Sequence, residues 1–151
     1  MLDDNGLRLM ELAGRKYCCT QMMVILALDE LGRENPDLVR AASGLCMGLG
    51  DCAGPCGVLT GGALVLGLYA GRGLDDEAPL DALPLMLETY RDWFAETTRP
   101  YGGTTCGDIL EGGCGKPHKE RCGGLVASAG ERLREILVEN GLDPAAGREE
   151  A

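Results

Sequence analysis

The chain predicts an all-α fold, a single-domain bundle of about five main helices with a Gly/Cys-rich loop. Three observations predict it. No segment alternates apolar and polar residues convincingly with period two, so strands find no support. Apolar residues recur instead at helical spacing, separated by Gly and Pro. The length of 151 residues suits one core, and 45% hydrophobic content suffices to build it. With only 4% aromatics, that interior must be aliphatic, closed by Met, Ala and other small residues.

The first helix is expected over residues 4–16, with Leu9, Leu12 and Ala13 as its apolar positions. The second spans about 18–32. Its centre, Met22 to Leu28, is apolar on every side, and its Met, Leu and Ala content favours a buried helix over a buried strand. Gly32 is its stop signal. Asn35-Pro36 starts the third helix, because Asn caps and Pro suits the first turn. That helix is expected to reach Met47, followed by a loop from Gly48 to Pro55. The fourth runs from about Cys56 to Gly71. An acidic connector, 73–79, leads to the fifth, about 80–98, whose Leu83, Met86, Leu87, Tyr90, Trp93, Phe94 and Thr97 form one stripe. A turn at 99–105 and a short helix at about 105–110 follow. Residues 111–121 are polar and Gly-rich. The last helix, about 122–140, places Leu125, Ala129, Leu133, Ile136 and Leu137 on one face, and Asn140-Gly141 ends it. One domain therefore covers 1–142, and the tail 143–151 is expected to be disordered.

The net charge of −10 disfavours nucleic acid and anionic membrane, since both demand a basic surface. It suits docking on a redox partner with a basic patch. Residues 52–71 carry no charge over a length that could span a bilayer, but they hold six Gly and one Pro. The strongly apolar part, 58–70, is too short to cross, so a buried core helix is expected and no membrane association. The acidic start, Met-Leu-Asp-Asp-Asn-Gly, lacks a charged-then-apolar signal pattern and points to the cytoplasm, where disulfides are disfavoured. Long apolar helices with Gly57/Gly61 and Gly67/Gly71 spacing permit a homodimer.

Eight cysteines in such a chain point to metal binding or electron exchange. They are Cys18, Cys19, Cys46, Cys52, Cys56, Cys106, Cys114 and Cys122. No C-x-x-C occurs, which argues against thioredoxin-like chemistry, most zinc ribbons and covalent haem. Cys56, Cys106 and Cys122 each fall at or just before an expected helix start, where unpaired N–H groups and positive potential stabilise a thiolate. Gly57, Gly107 and Gly123 follow directly, small enough to let backbone amides approach sulfur or a bound cofactor. Cys18 and Cys46 are read as buried free thiols. His118 is read as exposed, with metal ligation as the alternative. Lys116, Lys119 and Arg121 are either solvated surface or a balance for a nearby anion. No nucleophile–base pair and no phosphate-binding loop is visible.

The run Cys56-Gly57-Val58-Leu59-Thr60-Gly61 resembles the central motif of the C_GCAxxG_C_C family of redox-active proteins. Cys19-Thr20-Gln21 resembles the family's leading Cys-Ala-Gln, and Gly44 to Gly54 resembles its Gly-rich approach. Cys106, ahead of Asp108-Ile109-Leu110, and Cys122, ahead of Leu125-Val126, match the two later cysteines. The resemblance covers Tyr17 to Leu137. Val58 stands where Ala is usual, and Cys18, Cys46, Cys52 and Cys114 are additional. The resemblance implies a helical, cytoplasmic redox protein of anaerobes carrying an iron–sulfur cluster. Cys19, Cys56, Cys106 and Cys122 are then its expected metal ligands, with Cys52 or Cys114 as alternatives. Two other functions stay open. In one, pairs such as Cys52/Cys56 cycle between dithiol and disulfide. In the other, four cysteines hold a structural zinc, which the lack of close Cys pairs disfavours. Neither the cluster type nor an enzymatic activity can be read from these residues.

Overall fold

A computed structural model describes residues 3–116 and 118–148. Within them lie seven regular α-helices, α1 (Asp4–Gly14), α2 (Cys19–Leu31), α3 (Pro36–Ala42), α4 (Gly57–Ala70), α5 (Leu83–Thr98), α6 (Cys106–Ile109) and α7 (Lys119–Glu139), besides a single irregular turn, Cys46–Leu49. Five of these are long and two are short. No strand occurs among the described residues beyond an isolated bridge between Pro55 and Thr105. The all-α reading therefore holds. No helix among the described residues is long and apolar enough to cross a membrane.

Helix α4 is the central element because it is apolar all round. Its Val58, Val65, Leu66, Tyr69 and Ala70 are buried, as are Met86, Tyr90 and Phe94 of α5 and Leu125, Val126, Ala129, Leu133, Ile136 and Leu137 of α7. The close approach of α2 to α4 depends on missing side chains. A Cβ on Gly57 would lie 2.5 Å from the Thr20 Oγ1, and one on Gly61 would lie 2.8 Å from the Met23 Cβ. On another face Tyr90 fills the niche left by Gly62, and its hydroxyl donates to the Val58 carbonyl at 2.7 Å. Helix α1 closes the bundle with buried Leu12 and a 2.8 Å ion pair from Arg8 to Asp29 of α2.

Two stretches depart from the expectation. The third helix does not reach Met47. It stops at Ala42, a short 3₁₀ turn spans Ser43–Leu45, and Met47 and Gly48 then adopt left-handed backbone with φ of 55° and 56°. Tertiary contact explains the break: Gly48 is pressed between the Gly54 carbonyl and the Cys106 side chain, a fit no continuing helix provides. The tail was expected to be disordered from 143, yet residues 143–148 are held. Tyr69 donates to the Pro144 carbonyl at 2.6 Å, and Arg148 donates to the carbonyls of Ala70, Gly71 and Ala78. The Arg148 bonds to Ala70 and Gly71 satisfy carbonyls at the end of α4 that its own helix leaves open. The remainder of that expectation, 149–151, lies outside the described residues.

Candidate functional site

Four cysteines remain as free thiols: Cys19, Cys56, Cys106 and Cys122. Each comes from the first turn or the cap of a different helix. Cys19 opens α2, Cys56 caps α4, Cys106 opens α6 and Cys122 lies one turn into α7. Local sequence sets each start. Thr105 and Asp108 cap α6 reciprocally, the Asp108 N–H donating to Thr105 Oγ1 at 3.0 Å and the Thr105 N–H to Asp108 Oδ2 at 3.2 Å. His118 caps α7, its Nδ1 accepting the Arg121 N–H at 3.0 Å. His118 is exposed and engaged in this cap.

Backbone bonds draw the Cys52–Cys56 loop to the start of α6. The Cys56 N–H donates to the Thr104 carbonyl at 2.8 Å, the Cys106 N–H to the Gly54 carbonyl at 3.0 Å, and the Gly107 N–H to the Cys52 carbonyl at 2.8 Å. The Gly57 contact with α2 adds Cys19 to the group, because a Cβ there would meet the Cys19 Cβ at 3.4 Å.

The four thiols act on one another electrostatically in every pairing. The Cys19 thiol donates to the Cys122 sulfur, which raises Cys19 and lowers Cys122 from the ordinary thiol value of 9.0. The His118 N–H and the positive charge of Arg121 also favour the Cys122 thiolate. Burial pushes the Cys56 thiol up to about 11, opposed by hydrogen bonds from the Val58 and Leu59 amides. Burial and the neighbouring Cys122 raise Cys106. Cys56 and Cys106 are buried, while Cys19 and Cys122 are half-exposed, so the group reaches from the core toward the surface.

The other four cysteines behave otherwise. Against the expectation that disulfides are disfavoured, Cys18 is joined to Cys46 and Cys52 to Cys114. Cys18 and Cys46 are thus cross-linked rather than free, and half-buried. Cys52 and Cys114, considered as alternative ligands, are bonded to each other, and Cys52 pairs with Cys114 rather than with Cys56. The bridges arise where chain reversals carry each loop cysteine onto a remote one, a coincidence no local spacing signals.

The three glycines differ in use. Gly57 lets α2 and α4 meet, and the two amides that follow it reach the Cys56 sulfur. The Gly107 amide is taken by the Cys52 carbonyl, and a Cβ on Gly123 would meet open space. One feature escaped the reading of the sequence. Thr20, beside Cys19, is 0% exposed, and its hydroxyl oxygen has no hydrogen-bond partner. A threonine in the first turn of an apolar helix carries no signal of that kind.

Among the described residues, no group of three or more His, Cys, Asp or Glu side chains is arranged around a single metal ion. No curated protein and no solved structure matches the chain. A family model described as "Putative redox-active protein (C_GCAxxG_C_C)" matches residues 17–136, and the chain belongs to that family.

Proposed function

We propose that Cys19, Cys56, Cys106 and Cys122 hold an iron–sulfur cluster and that the protein is an electron-transfer module. The observation that carries this reading is the division of the cysteines. Four are consumed in disulfides, and the four that stay free come from the starts of four helices that the α2–α4 contact and the backbone bonds from the Cys52–Cys56 loop to α6 draw together. An all-thiolate donor set of four suits either common cluster type. Such ligands are shared among several irons, so they need not converge on one point. A tetrahedral zinc, by contrast, demands four sulfurs each about 2.3 Å from one ion.

When bound, such a cluster supplies one-electron acceptance and donation. The residues around it have separate parts. The Cys19 donor, the His118 N–H and the Arg121 charge favour the thiolate of Cys122, the form that ligates. The Val58 and Leu59 amides and the spare Thr20 hydroxyl are donors that would favour the more negative, reduced state. Burial of Cys56 and Cys106 excludes water, while half-exposed Cys19 and Cys122 leave an edge for electron exchange. The charge of −10 favours encounter with a basic redox partner. A cytoplasmic setting and an anaerobic host belong to the same reading.

Iron and sulfide analysis of anaerobically prepared protein, with visible and electron paramagnetic resonance spectra, tests it. Stoichiometric iron and sulfide, lost on Cys→Ser substitution at Cys19, Cys56, Cys106 or Cys122, is the expected result. Absence of both elements after reconstitution, or full loading in all four variants, would overturn it.

A further inference from the structure

We propose that the Cys52–Cys114 disulfide is a second redox site, a two-electron couple that exchanges with a protein dithiol through the Cys114 sulfur. It uses cysteines separate from those of the candidate cluster. Three observations carry it.

The first is asymmetry. Cys52 is 4% exposed, whereas Cys114 is exposed. Attack on a disulfide runs along the S–S axis, with the leaving sulfur opposite the nucleophile. A thiolate arriving from solvent therefore meets Cys114, and buried Cys52 is the leaving group. The Cys18–Cys46 bridge has no such end, since both of its residues are half-buried.

The second is access. Gly113 and Gly115 flank Cys114, and a Cβ on Gly115 would meet open space. The backbone around Cys114 is held by short-range bonds, Gly113 to Leu110 and Lys116 to Gly113. A partner's active-site loop can thus lie along this segment without displacing a helix.

The third is the backbone on both arms of the bridge. Cys52 itself and Glu111, three residues before Cys114, are non-glycine residues with φ of 66° and 53°. Left-handed backbone at such residues is unfavourable and persists where the surroundings impose it. The cross-link is one of those constraints, so opening it lets both arms relax. Exposed bridges closing constrained segments are the labile ones. Of the four bridged cysteines Cys52 alone has such backbone, while Lys16 and Met47 lie near the Cys18–Cys46 bridge without including its cysteines.

The step balances. A partner thiolate attacks the Cys114 sulfur, forming a mixed disulfide as the Cys52–Cys114 bond breaks. Cys52 leaves with the electron pair and takes up a proton. The partner's second thiol gives up its proton and attacks its own mixed-disulfide sulfur, releasing Cys114 as a thiolate that is then protonated. The partner dithiol is oxidised to a disulfide, and Cys52–Cys114 is reduced to two thiols.

The probe is thioredoxin. Oxidised full-length protein is mixed with thioredoxin whose second active-site cysteine is serine, and the conjugate is mapped by mass spectrometry. The expected product joins thioredoxin to Cys114, and Cys114→Ser abolishes it. With intact reduced thioredoxin, Cys52–Cys114 opens at least tenfold faster than Cys18–Cys46 in the native protein. No conjugate, a conjugate at another cysteine, or equal rates for the two bridges overturns the proposal. The main readouts use the unaltered chain, so a variant that fails to fold leaves them intact. Cys52→Ala/Cys114→Ala, which keeps Cys19, Cys56, Cys106 and Cys122, separates the two redox readings by its iron content.

Discussion

Gly57→Ala adds one methyl group at the point where α2 crosses α4. The new carbon would lie 2.5 Å from the Thr20 hydroxyl oxygen and 3.0 Å from the Thr20 backbone nitrogen. Thr20 is fully buried, so its hydroxyl has little room to swing away, and the nitrogen can yield only if α2 moves. Overpacking of this kind costs about 1–3 kcal/mol. Alanine recovers roughly 0.5–1 kcal/mol over glycine inside a helix, less at its first position. The expected net loss is therefore about 1–2 kcal/mol. Gly67→Ala on the same helix is the control. A Cβ there meets nothing within 4 Å, so only the helical gain of about 0.5–1 kcal/mol remains. Urea unfolding followed by circular dichroism, with disulfides intact, should place the two variants on opposite sides of the parent. Adding Thr20→Ala to Gly57→Ala should restore part of the loss, since the hydroxyl contact disappears and the backbone contact stays. A Gly57→Ala protein as stable as Gly67→Ala would refute this account of the helix crossing.

Alkylation of the cluster-free protein, mapped by residue, should show Cys122 as the thiol with the lowest inflection, below the ~8.5 of a free cysteine. The direction follows from the Cys19 donor and Arg121 charge, which keep the thiolate as pH falls; an inflection at or above that of a free cysteine contradicts it. Thr20→Val, a near-isosteric change that deletes the unpartnered hydroxyl, should leave stability unchanged or raise it by about 1 kcal/mol; a loss of stability would reveal a partner for the oxygen. Tyr90→Phe removes the hydrogen bond to the Val58 carbonyl and should cost about 0.5–1.5 kcal/mol in urea unfolding, with no cost counting against that bond. Ending the chain at Leu142 deletes the Tyr69–Pro144 bond and the Arg148 bonds at the end of α4, and should lower stability by about 2–4 kcal/mol; an unchanged urea midpoint would show the tail contributes nothing.

Elements with their own periodicity or punctuation were legible in advance. The stripe on α5 buries Met86, Tyr90 and Phe94, and all five residues named for the face of α7 are buried. Asn35-Pro36 starts α3, with the Asn35 side chain accepting the Leu38 N–H at 3.1 Å, and Gly32 ends α2 in left-handed backbone. The end of α3 and the packed tail were not legible. The first is decided by Gly48 against Cys106, and the second by Arg148 against carbonyls some 77 residues earlier. Neither partner announces itself in the local sequence.

The cysteines divide along the same line. That the chain is rich in thiols, that several sit at helix starts and that four follow a family-like order can all be read from residue type and spacing, because helix caps and motifs are local. Which sulfurs bond, which stay free and which lie open to solvent is decided when remote loops meet. Cys52 and Cys114 are 62 residues apart, yet their Cα atoms stand 5.9 Å from each other once α4, α6 and α7 have packed. Local energetics shapes each helix; which thiols share a neighbourhood is decided by the close packing of α2 on α4, through glycines that lack a side chain, and by the backbone bonds that tie the Cys52–Cys56 loop to the start of α6.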